Sequence, residues 1–215
     1  MSYLEHLSRD KKLKKIIEAQ GELVLKSRKD LCNYLCASIM SQQLSTKVAS
    51  VIHKRFLDLF EGKPPLPEDI LAIPEDQLRG IGLSNAKTAY IRHVAQFAME
   101  RGISYKVLAK MSNEEVIDYL TQIKGVGKWT VEMMLMFALG REDVFPADDL
   151  GIQQAMAGLY KMNTENKKQF KEDMHKLAKK WSPYRTYASM YLWRWKDEEK
   201  NGKSKRGSKI RNKEH

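Results

Sequence analysis

Apolar residues recur at helical spacing along almost the whole chain. Leu31, Leu35 and Ile39 stand four apart, and Val48, Ile52, Phe56 and Leu59 repeat the pattern behind Ser45, a candidate N-cap, until Gly62 stops the segment. Pro67 and Pro74, each followed by Glu-Asp, mark the first turns of two short helices. Ser84 caps a segment whose Tyr90, Val94 and Phe97 share a face and which ends near Gly102. Ser112-Asn-Glu-Glu has the form of a capping box, starting a helix that runs to about Thr121. A further helix is predicted over Lys128 to Leu139, stopped by Gly140; others start near Asp149, fill about 165–180, and open at Pro183. No stretch keeps strand alternation, so the predicted fold is all-α, without a solenoid repeat.

Between two of these helices lies Ile123-Lys-Gly-Val-Gly-Lys-Trp-Thr130. A glycine-bracketed turn that feeds a helix start offers backbone N–H groups without helical partners, and the helix dipole favours an anion there. Glycines also let a polyanion approach the main chain. Gly125, Val126, Gly127, Lys128 and Thr130 are therefore candidate phosphate-binding residues, a tight connector being the plain alternative. Two carboxylates, Asp148 and Asp149, follow Val144-Phe-Pro-Ala147. An anion grip with carboxylates downstream points to chemistry on nucleic acid. A partial echo, Leu78-Arg-Gly-Ile-Gly-Leu-Ser-Asn-Ala86, reads as a second grip or, more simply, as a helix connector.

Charge strengthens the nucleic-acid reading. The net charge is +11, of which residues 200–215, with seven Lys or Arg and one acid, hold +6 and residues 1–199 hold +5. The Gly/Ser-containing basic end reads as a disordered arm attracted to polyanions, or a solubilising tail, while the rest is basic on its own. The longest apolar run, Met133 to Leu139, is too short to span a bilayer, so no membrane role is expected. The N-terminus lacks a secretion-signal layout, which favours an intracellular location: cytoplasmic if the source is bacterial, nuclear if eukaryotic. Cys32 and Cys36, the sole cysteines, cannot complete a four-thiolate cluster; two buried small side chains and no iron–sulfur cluster are expected.

The hairpin sequence, the loop Arg141-Glu-Asp143 and the run Val144-Phe-Pro-Ala-Asp-Asp-Leu-Gly-Ile152 together resemble the helix-hairpin-helix (HhH-GPD) DNA glycosylases. Ser41-Gln-Gln-Leu-Ser45 and Trp181-Ser-Pro-Tyr-Arg-Thr-Tyr-Ala188 are similar to the alkylpurine branch, of the 3-methyladenine DNA glycosylase II type. The likeness spans roughly Leu31 to Trp195, and the β-rich N-terminal domain that some members carry is not expected, since few residues precede the first matched helix.

The resemblance implies a two-lobed glycosylase domain over 1–199, with a central hairpin lobe at about 31–139, a second lobe from 1–30 and 149–199, and the active site between them. It implies that Asp149, directly before Leu-Gly, is catalytic; Asp148 is then left to cap the following helix. Trp129 and Trp193 fall at aromatic positions of the base pocket; Tyr187, Tyr191 and Glu132 are weaker pocket candidates, the core being the expected place of either tyrosine and an exposed helix position that of the glutamate. Gln43 is the expected wedge into the vacated stack and Leu44 its alternative. Carbonyls of Thr121, Ile123 and Val126 are implied to hold a monovalent cation, and no other cofactor is expected. Members that also cut the strand place a lysine at the second position after the last hairpin glycine, where this chain has Trp129. The implied activity is therefore a monofunctional one, hydrolysing the glycosidic bond of alkylated purines such as 3-methyladenine or 7-methylguanine in duplex DNA, by a monomer. Two alternatives are an oxidised or mismatched base on the same fold, and a non-enzymatic DNA-binding hairpin module.

Overall fold

The computed structural model describes the backbone of residues 2–211 and the side chains of residues 2–199. Among these residues the chain is all-α, with thirteen α-helices and no strand. None of them is long and apolar enough to cross a membrane. The chain divides into two compact units: Lys26–Gly140, and Met1–Leu25 together with Arg141–His215. In chain order, α1 (Tyr3–Leu7) and α2 (Lys11–Gln20) belong to the split unit. The continuous unit holds α3 (Leu31–Ser41), α4 (Thr46–Asp58), α5 (Pro67–Ala72), α6 (Glu75–Gly80), α7 (Asn85–Arg101), α8 (Tyr105–Leu108), α9 (Asn113–Leu120) and α10 (Lys128–Phe137). The split unit ends with α11 (Leu150–Tyr160), α12 (Lys167–Ala178), a 3-10 turn (Lys179–Trp181) and α13 (Arg185–Arg211).

In the continuous unit the caps sit where the sequence predicts them. Ser45 accepts from the Val48 N–H, Ser84 from Lys87, and Ser112 exchanges reciprocal bonds with Glu115. Pro67 opens α5 at its first position, whereas Pro74 stands one place earlier, as the N-cap of α6. α7 is the axis of the unit, packing on α3, α5 and α6 with Ile91, Val94 and Ala95 fully buried. α4 buries Ile52 and Phe56, but Val48 is exposed because it lies in the first turn, beside the exposed residues 43–47. Cys32 and Cys36 are buried thiols on α3. The ends of the unit run side by side: the Arg28 N–H donates to Ala138 O at 2.7 Å, and Gly140 turns at φ +67° against Ser27.

In the split unit, Leu13, Ile152, Met156, Trp181 and Tyr191 are buried in one core. Each such side chain contributes about 1.5–3 kcal/mol through removal of apolar surface from water. One carboxylate organises the polar atoms there. Asp10 caps α2 through the N–H groups of Lys12 and Leu13, while its other oxygen accepts from Tyr160 Oη (2.8 Å) and Trp181 Nε1 (3.2 Å). Burial, with the adjacent Asp10 charge, pushes the Tyr160 pKa up and keeps the phenol a donor. α13 continues as helix to Arg211, so the backbone of 200–211 is helical where a disordered basic arm is expected; the side chains of 200–211 and residues 212–215, the rest of that arm, lie outside the described residues.

Candidate active site

The hairpin turn joins α9 to α10. Ile123 and Val126 are buried, and the Val126 N–H donates to Ile123 O at 3.0 Å, so this N–H closes the turn rather than facing a ligand. Gly125 sits at φ +98°, and a Cβ there would fall on the Tyr90 side chain of α7, 2.6 Å from the Tyr90 Cβ. Gly127 is the N-cap of α10 and supplies no side chain to it; the space where its Cβ would stand is open. The first turn of α10 thus presents backbone N–H groups uncapped by residue 127 at the positive end of a ten-residue helix.

The side chains of α10 diverge from that turn. Lys128 is exposed and pairs with Glu132 at 3.7 Å. Glu132 is 4% exposed, not the exposed helix glutamate expected, and it pairs with Lys128 one turn earlier. Thr130 is buried and lines a cavity. Met133, Met134 and Met136 are core, as their spacing suggests.

That cavity has a volume of about 650 Å³ and is walled by α3, the α3–α4 turn and α10. Trp129 lies on its wall and is 44% exposed, an unusual cost for an indole unless something covers it. Gln43 and Leu44 form the rim, and Gln43 has a positive φ of 59°, uncommon for a residue with a side chain. Tyr34, Ser38 and Phe137 also line the cavity and were not singled out in the sequence. Tyr34 Oη donates to Met133 O at 3.2 Å; burial raises its pKa, opposed by the nearby Arg28 charge.

In the split unit, Asp149 is the N-cap of α11. Its Oδ1 accepts from the Ile152 N–H at 2.9 Å and from Trp193 Nε1 at 2.8 Å. Gly151 makes room for this second bond, because a Cβ there would stand 2.9 Å from both the carboxylate and the indole. The capping role assigned to Asp148 thus belongs to Asp149, while Asp148 is exposed and pairs with Lys171 of α12. Helix start and short carboxylate reach explain the exchange: α11 begins at Leu150, and only the residue immediately before it can cap.

The loop leading to Asp149 is fixed at its base. Thr186 Oγ1 donates to Arg141 O and accepts from the Val144 N–H. Asp143 receives two bonds from the Arg185 guanidinium, 2.6 and 2.9 Å, and one from Ser182. Burial alone would raise the Asp143 pKa, but the hydrogen bonds from Arg185 and Ser182, with the Arg185 charge, outweigh it and hold the carboxyl below its ordinary value. Tyr187 and Tyr191, the weaker pocket candidates, are core residues of this unit. Tyr187 stacks on Tyr3 and donates to Glu142, and Tyr191 donates to Gly21 O. They follow the inward face of α13 with Ala188 and Leu192.

Helix, glycine hairpin, helix and a downstream aspartate on an all-α frame define a DNA-repair glycosylase architecture. Residues 36–181 match the HhH-GPD superfamily base excision DNA repair protein family, and the chain belongs to that family. Among its relatives is DNA-3-methyladenine glycosylase 1 of Schizosaccharomyces pombe, 37% identical over 78% of this chain and 73% of the relative. The solved structure of an S. pombe 3-methyladenine DNA glycosylase (Mag1) in complex with abasic DNA superimposes with a TM-score of 0.78, at 33% identity over 90% of this chain and 95% of the other. A DNA-3-methyladenine glycosidase of Bacillus halodurans gives a TM-score of 0.79, at 36% identity over 89% of this chain and 87% of the other.

Proposed function

We propose that this protein is a monofunctional DNA glycosylase that hydrolyses the N-glycosidic bond of alkylated purines, of the 3-methyladenine or 7-methylguanine type, in duplex DNA during base excision repair. It acts as a monomer inside the cell, wherever the DNA is: the cytoplasm of a bacterium or the nucleus of a eukaryote. The carrying observation is the carboxylate of Asp149, oriented through one oxygen by both its own helix and Trp193.

An alkylated purine is cationic, so its bond to C1′ is weak before any acid acts on it. As the C1′–N bond breaks, the base leaves with the bonding electrons as a neutral molecule and positive charge develops on the sugar. Asp149 stabilises that charge and orients the water that adds to C1′, the water's proton passing to solvent. Trp129 offers an electron-rich face on which a cationic base gains about 0.5–2 kcal/mol. The hairpin backbone holds phosphate, and Gln43 or Leu44 fills the vacated stack. An indole at residue 129 cannot attack C1′ as an amine does, and Lys128 is engaged with Glu132, which argues for glycosylase without lyase activity. The turn carbonyls of Thr121, Ile123 and Val126 are a neutral oxygen donor set suited to a monovalent cation; Ile123 O accepts one N–H and keeps a second lone pair. Such an ion would neutralise part of a phosphate's charge.

Asp149→Asn tests this reading cleanly, because asparagine caps a helix as well as aspartate does. Chromatography of bases released from methylated duplex DNA should show 3-methyladenine with wild type, and a rate about 100- to 1000-fold lower with the variant. Strand breaks should appear only after alkali. Full turnover by Asp149→Asn overturns the assigned role, and breaks before alkali overturn the monofunctional reading.

A further inference from the structure

The rim turn that carries Gln43 and Leu44 is held by a lysine for which the reaction has no other use. Lys87, in the first turn of α7, donates from Nζ to Met40 O at 2.9 Å and to Gln42 O at 2.7 Å. These carbonyls belong to the last turn of α3 and its C-cap, where helical partners run out and the dipole presents its negative end. A cation there satisfies two acceptors at once, on either side of the point where the chain leaves the helix.

The stem of that lysine is itself fixed. Ser84 caps α7 at the Lys87 N–H, and Ile81 and Leu83 bury the preceding turn. From the far side of the rim turn, Arg55 of α4 donates to Ile81 O at 3.4 Å. The two helices that flank residues 42–45 are thus tied to one short segment, 81–87. Between the ties, Gln43 holds a positive φ that side-chain-bearing residues rarely adopt. Burial draws the Lys87 pKa down, in keeping with an ammonium committed to carbonyls rather than to solvent.

We propose that Lys87 is a positioning residue that locks the 42–44 turn in the shape needed to keep a duplex open, so that the Gly80-Ile-Gly82 turn serves as a buttress for the wedge. The inference rests on the reading of this turn as a wedge in a base-flipping glycosylase. A side chain standing in for a missing nucleotide must resist restacking, and a turn that yields lets the nucleotide return.

The experiment compares single-turnover base release from two substrates: an alkylated purine in a fully paired duplex, and the same lesion in an unpaired loop, where unstacking is already largely done. Lys87→Met should lower the rate on the paired lesion about tenfold or more, and by less than about threefold on the looped lesion. Lys87→Arg, which keeps charge and donors, should recover most of the paired rate. Thermal unfolding is recorded in parallel; if Lys87→Met does not fold, Lys87→Gln is compared with Lys87→Arg on the same pair of substrates. An equal loss on both substrates, or none on either, overturns the positioning role. Wild-type protein that releases no base from either substrate overturns the glycosylase reading first, and this inference with it.

Discussion

The turns at 80–82 and 125–127 spell nearly the same three residues, Gly-Ile-Gly and Gly-Val-Gly, yet they solve different problems. In the first, the positive φ falls on the second glycine, Gly82 at +106°, where the chain leaves α6. In the second it falls on the first glycine, Gly125 at +98°, and the other glycine becomes the N-cap of the next helix. The residue that follows decides the chemistry. Ser84 closes the start of α7 with its own hydroxyl, so that turn is a connector, whereas Gly127 leaves the start of α10 without a side-chain cap. A glycine pair alone therefore does not leave a helix start open to an anion; the absence of a capping side chain there does.

Alanine at Gly125 should break the contrast most severely. It meets a positive φ and also the body of Tyr90, which has α7 behind it and cannot withdraw. The two penalties together predict a loss of about 2–5 kcal/mol, read as a lower urea midpoint with an unchanged slope. Adding Tyr90→Ala should restore little of it, because the Tyr90 Cβ that remains lies 2.6 Å from the new methyl. Recovery down to a residual loss of about 1–2 kcal/mol would mean that the hairpin shifts enough to clear the Tyr90 Cβ, and that the left-handed conformation is the only penalty left.

Alanine at Gly82 isolates the backbone term. A Cβ there meets Ile52 at 3.8 Å, an ordinary contact, so only the left-handed conformation is penalised, at about 1–2 kcal/mol. If Gly82→Ala costs as much as Gly125→Ala, the steric difference between the two turns carries no weight.

How far these distinctions could be read from residues alone varies with the length scale. The caps at Ser45, Ser84 and Ser112 and the glycine stop at Gly102 are local chemistry, and they appear where the sequence puts them. The family likewise follows from short motifs, and the HhH-GPD match, residues 36–181, covers all of them but the stretch 182–188. Two placements had local signs. Tyr187, Ala188, Tyr191 and Leu192 form an inward stripe on α13 that marks both tyrosines as core, and Lys128 stands four residues before Glu132, at the spacing of the ion pair they make. Other features had no local sign. Nothing near Lys87 announces carbonyls more than forty residues earlier, nothing in α12 announces Lys171 as the partner of Asp148, and Tyr34 and Phe137 become cavity walls only when α3 meets α10.

The smallest effect on stability is the sharpest test of the comparison. Gly127→Ser makes the start of α10 resemble that of α7, by giving it a hydroxyl that accepts from the first-turn N–H groups. The φ of −95° suits serine and the Cβ position is open, so the fold should gain a few tenths of a kcal/mol and the melting temperature should rise by about 1 °C. DNA affinity should move the other way, weakening about tenfold, because the hydroxyl competes with phosphate for the same donors. Fluorescence anisotropy over a salt series checks the cause. Since no lysine or arginine is removed, the slope of log Kd against log salt should be unchanged while the whole line shifts. A more stable protein with undiminished affinity would show that the open helix start at Gly127 is not where the DNA backbone is held, and the difference between the two turns would then be one of shape alone.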